Sequence, residues 1–83
     1  MPYITQEDRA QMDEVVNKMM RCGVEPDGRL NYVLFKLCWH SMEPSYNNYK
    51  NFIGELNECV AEIRRRLLAP YEDSRKEING DVL

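Results

Sequence analysis

The residues with the most chemical potential are three consecutive arginines, Arg64-Arg65-Arg66, followed closely by Pro70-Tyr71. A guanidinium is a planar fork of donors that grips phosphate or carboxylate through two parallel hydrogen bonds. A tyrosine ring nearby can stack on a base. Together these residue types make a grip for an anionic, nucleotide-like ligand. Consecutive helical positions point in three directions, so at most two of the arginines share a face. Arg65, Arg66 and Tyr71 are therefore the leading ligand-binding candidates, with Lys76 as a further positive charge. Asn31 and Tyr32 would add amide and phenol groups, as would Tyr46-Asn47-Asn48-Tyr49. Each feature has a second reading that stays open here. The arginines also suit a helix C-terminal end, where positive charge complements the dipole. The tyrosines are equally good anchors for a protein interface.

Other chemistries find less to work with. His40 is the sole histidine and Cys38 sits two residues before it, with no further ligand pair at zinc spacing. No metal and no cofactor is expected, and Cys38 reads as a small core residue. Cys59 and His40 are the only nucleophile and base types worth pairing, and nothing in the sequence brings them together. Glu58 and Glu62 lie one turn apart beside arginines, which is the pattern of surface ion pairs. The four glycines are isolated, so there is no phosphate-cradling loop. The expectation is a protein that is not an enzyme.

Helices must position these residues. Two turn clusters, residues 23–28 and 41–45, divide a chain whose periodicity is helical throughout. The first helix is predicted from about Gln6 to Cys22. Thr5 caps it, and Gly23 closes it in a left-handed conformation. Met12, Val15, Val16, Met19 and Met20 form its apolar stripe. The second helix is predicted from about Leu30 to His40. Eight of the ten residues from Leu30 to Trp39 are apolar. Leu30, Val33, Leu34 and Leu37 are expected to face the chain's own core. Tyr32, Phe35 and Trp39 then point elsewhere, and a second subunit is the simplest cover.

The third helix is predicted from about Tyr46 to Leu68, with Ser45 as its cap and Glu62–Arg66 as a surface pair. It would span roughly 34 Å, too long for so small a domain to cover. Gly54 inside it costs about 1 kcal/mol relative to alanine, which a close helix–helix crossing would explain. Pro70 is expected to end or kink the helix, because it lacks an N–H and biases Ala69 away from helical angles. A short last helix, Tyr71 to Ile78, would close at Asn79-Gly80.

Composition bounds the rest. Eighty-three residues with 43% hydrophobic and 30% charged side chains suit one soluble domain over residues 1–83. A chain of this length hides only roughly 60–65% of its surface. The net charge of -3, from 11 Lys+Arg against 14 Asp+Glu, argues against general nucleic-acid binding. No apolar run reaches the ~20 residues of a membrane span, and Met1-Pro2-Tyr3-Ile4-Thr5 lacks the features of a signal peptide. Three widely spaced cysteines point to a reducing compartment.

Several landmarks carry a resemblance. They are Met1-Pro2-Tyr3-Ile4, Leu30-Asn31-Tyr32-Val33, Ile53-Gly54, Arg65-Arg66 with Ala69-Pro70-Tyr71-Glu72-Asp73, and Asn79-Gly80-Asp81-Val82. The chain resembles, over its whole length, a family of small uncharacterised proteins of tailed bacteriophages and prophages. In that family a Glu-Cys pair follows Ile-Gly more closely than Glu58-Cys59 does here, so no role passes to Cys59. The resemblance implies a bacterial host cytoplasm and no particular activity. Small phage accessory proteins commonly disable a host factor or sequester a small signalling molecule.

The resulting expectation is an all-α protein, a small bundle of three main helices and a short C-terminal one, assembled as a homo-oligomer. Its function is read as non-catalytic binding that sequesters a nucleotide-derived host immune signal, an anti-defence role. One alternative is a protein–protein module that inhibits a host factor through the acidic Glu72/Asp73/Glu77/Asp81 segment. Another is a purely structural helical oligomer.

Overall fold

A computed structural model describes residues 2–83. Its elements are α1 (Gln6–Arg21), α2 (Gly28–Ser41), α3 (Tyr46–Ile63), a wide π-helical turn (Arg64–Leu68) and α4 (Ala69–Asn79). No strand occurs among the described residues, so the fold is all-α. The chain forms two compact units, Tyr3–Phe52 and Ile53–Leu83 with Pro2, and the boundary falls within α3.

In the first unit the helix ends follow local chemistry. Thr5 is extended, and its hydroxyl accepts from the Asp8 N–H at 3.4 Å. Glu7 and Asp8 occupy the first turn and Lys18 and Arg21 the last, each matching the dipole. At the far end the Val24 N–H reaches the Met19 carbonyl and the Gly23 N–H the Met20 carbonyl, both at 3.0 Å. That paired closure needs a left-handed residue, and Gly23 supplies it with φ 76°. Helix α1 thus stops one residue short of the predicted end, with Cys22 as its cap.

Helix α2 starts two residues earlier than the apolar pattern predicts. Asp27 caps it, accepting from the Arg29 N–H at 2.8 Å, so Gly28 and Arg29 become helical. At its other end the Ser41 hydroxyl donates to the Leu37 carbonyl at 2.5 Å. Ser45 caps α3 as predicted, accepting from the Asn48 N–H at 3.0 Å.

No described residue is fully buried. Leu30, Val33 and Leu34 are half-buried, as expected, and Cys38 joins them. Leu37 does not; it shares their helix face by spacing but stays 55% exposed. Tyr32, Phe35 and Trp39 stand out in solvent as an i, i+3, i+7 stripe.

The second unit corrects two expectations. Pro70 does not end the helix: Leu68 (φ -70°, ψ -47°) and Ala69 (φ -63°, ψ -47°) are both helical. The reason lies in the turn before it. The Ala69 N–H bonds the carbonyl of Arg64, five residues back, so this turn is wider than an α-turn. In a regular α-helix the proline ring would clash with the carbonyl four residues back, and a local departure from the α-turn is the usual way a helix accommodates it. The helix then runs to Asn79, where Gly80 (φ 90°) closes it and its N–H bonds the Lys76 carbonyl at 2.9 Å. The second correction concerns Gly54. A methyl placed there would meet no atom within 4 Å, so no close helix crossing within the chain explains that glycine.

Candidate functional site

The three arginines all fall inside the wide turn, Arg64–Leu68. A π-turn adds a residue to the helix at one point, and such turns recur at functional sites. Here its first three residues are the three arginines. Arg65 is held in a forked ion pair with Glu62, Nε to Oε1 at 2.9 Å and Nη2 to Oε2 at 3.0 Å. The sequence pointed instead to Glu62 with Arg66. An i, i+3 pair facing back along the helix serves Arg65 as well as i, i+4 would serve Arg66. Both partners keep contact with water, so the pair orients Arg65 more than it stabilises the fold.

Tyr71 follows in the first part of α4 and is 60% exposed. The Ser74 hydroxyl donates to its carbonyl at 2.7 Å, tying that turn together. Lys76 lies one turn further on, with its Nζ 3.9 Å from an Asp81 carboxylate oxygen. Arg65, Arg66, Tyr71 and Lys76 therefore occupy one helical run of the second unit.

Asn31 and Tyr32 belong to the first unit, on α2. The Asn31 N–H bonds the Asp27 carbonyl at 3.3 Å, and the Lys36 ammonium sits 5.6 Å from the centre of the Tyr32 ring. Tyr32 also borders a shallow open concavity with Cys22, Val24, Gly28, Arg29 and Val33. At its edge Arg29 is bound by Asp27 at 2.8 Å and by Glu25 at 3.0 Å. The side-chain and backbone hydrogen bonds from Arg29 hold the Asp27 carboxyl below its ordinary value. Sequence reading missed this cluster; the alternate spacing Glu25, Asp27, Arg29 was its only signal.

Of the residues considered for catalysis, Cys59 is exposed on α3 in the second unit and His40 is exposed near the end of α2 in the first. Among the described residues no helix is long and apolar enough to cross a membrane.

A family described as a domain of unknown function, DUF6899, matches residues 1–82, and the chain belongs to it. No curated protein and no solved structure matches it.

Proposed function

We propose that this member of a family without an assigned activity is a non-catalytic binding protein, oligomeric, that sequesters a nucleotide-derived anion. In a phage setting, which the sequence resemblance favours, the ligand would be a host immune signal. The observation that carries this reading is the wide turn itself: three arginines within one turn, followed by the exposed Tyr71. Arg66 would grip phosphate by its guanidinium fork, with Arg65 oriented beside it by Glu62. Tyr71 would stack on the base, and Lys76 would add long-range attraction. Calorimetric titration with cyclic and linear nucleotides tests it. Binding should weaken at least tenfold in Arg66→Ala and in Tyr71→Ala; unchanged affinity in both variants would remove the reading.

A second reading is favoured by one specific observation, the exposed stripe of Tyr32, Phe35 and Trp39 on α2. Aromatic residues in such a row are strong interface anchors, and a host protein that docks there would be disabled without any small ligand. Trp39→Ala separates the two readings, because it should abolish capture of a protein partner and leave nucleotide affinity intact.

A further inference from the structure

The second unit is one helical run, the end of α3, the wide turn and α4, and it holds no other helix to pack against. A helix gains most of its stability by burying an apolar side, so the spacing of this run's apolar residues says what would cover it. Ile53, Leu56, Val60 and Ile63 follow one another at intervals of 3, 4 and 3. That is a 3.5-residue period, the seam of a coiled coil. Counted on without a break, it would next fall on Leu67, Pro70, Ser74 and Glu77. The wide turn holds one residue more than regular α-helix would. With that residue set aside, the count falls on Leu68, Tyr71, Arg75 and Ile78. Ile53, Val60, Ile63, Leu68, Tyr71 and Ile78 are all more than two-fifths exposed. We infer that the run from Ile53 to Ile78 is one strand of a coiled coil with a second copy of the chain, and that the wide turn keeps its seam in phase.

A seam of this period is filled by a helix wound along it, because each side chain seats among four of the facing helix. From Ile53 to Ile78 it extends roughly 39 Å, whereas α1 and α2 reach only roughly 24 and 21 Å. Among the described residues, only this same run in another copy matches the seam in both length and period. Its chemistry suits self-pairing: β-branched Ile53 and Val60 alternate with Leu56, the arrangement that two-stranded coils favour. Charge permits it too. The chain carries a net charge of -3, yet Glu55, Glu58, Glu62, Asp73 and Glu77 all lie on the side away from the seam. The seam is flanked by Asn57, Arg64 and Glu72 on one edge and by Cys59, Leu67 and Ser74 on the other, so two copies bring no acidic row together. Arg75 is the one charged residue on the seam itself, where a polar side chain costs stability.

The inference does not rest on nucleotide binding, and the two meet only at Tyr71. That ring cannot stack on a base and fill the seam at once. A bound nucleotide would therefore part the copies beyond Leu68 and leave Ile53 to Leu68 paired.

Sedimentation equilibrium of the full chain, with no nucleotide present, tests the pairing by itself. The wild type should associate. Leu68→Gln should weaken association at least tenfold, and Leu67→Gln, the same change one residue earlier, less than threefold. Arg75→Leu completes the seam and should strengthen association at least tenfold, a gain that loss of folding cannot produce. Asp73→Leu, on the outer side, should leave it unchanged, and circular dichroism checks that each variant keeps its helix content. A monomeric wild type would overturn the pairing. Leu67→Gln as damaging as Leu68→Gln would overturn the phase assigned to the wide turn. An Arg75→Leu gain no larger than that of Asp73→Leu would overturn the seam.

Discussion

Replacing Gly54 by alanine should stabilise the protein, although the residue lies mid-helix where tight packing is the usual explanation for glycine. A built methyl at Gly54 finds no atom within 4 Å, so the substitution meets no steric cost. What remains is the backbone term. Glycine samples more conformations when unfolded and is less favourable than alanine in a helix interior by about 0.8–1 kcal/mol. For a domain of this size that corresponds to a rise in Tm of roughly 4–8 °C. Thermal unfolding followed by circular dichroism at 222 nm measures it, at two protein concentrations tenfold apart so that association is controlled. A fall in Tm would refute the reasoning. It would mean that something packs against the α3 backbone at Gly54 in solution, and that the open space is filled by another chain.

The same substitution at Gly23 should act in the opposite direction. There φ is 76°, and alanine would cost about 1–2 kcal/mol, read as a lower Tm in the same assay. Ser45→Ala removes the acceptor for the Asn48 N–H and should destabilise by about 1 kcal/mol, measured by urea unfolding. The pH dependence has a definite sign. Asp27 titrates below its ordinary value of 3.8, so its contribution is present above that value and lost as pH falls through the lowered one. Asp27→Asn, which still caps the helix, should therefore show less acid-induced loss of helicity below pH 4 than the wild type, by circular dichroism.

Legibility in the sequence followed the range of the interactions. Helix α1 was readable at both ends because Thr5 and Gly23 act on backbone groups within five residues. The start of α2 was not, since Asp27 sits among glycines and a proline that all signal a turn, and its capping role appears only with Arg29 folded over it. Pro70 misled for a different reason. Its local penalty is real, but five residues before it absorb that penalty by taking a wider turn, and no composition rule marks such a turn. At the candidate site, spacing put Arg65 and Arg66 on the third helix and Tyr71 and Lys76 on a separate one beyond Pro70, and only the structure joins them in one helical run. Spacing did not choose between two chemically equal partners for Glu62. Nor did it show that Leu37, apolar and on the inward face, would remain outside the cover.

The central claim, binding of a nucleotide-like anion by an oligomer, is tested most directly by native mass spectrometry. The intact protein, taken gently from cells, would be sprayed alone and with a panel of cyclic and linear nucleotides. The account predicts an oligomeric ion that retains a small-molecule mass or gains one from the panel, and that loses it in Arg66→Ala. An ion of bare protein mass that ignores every nucleotide would contradict it.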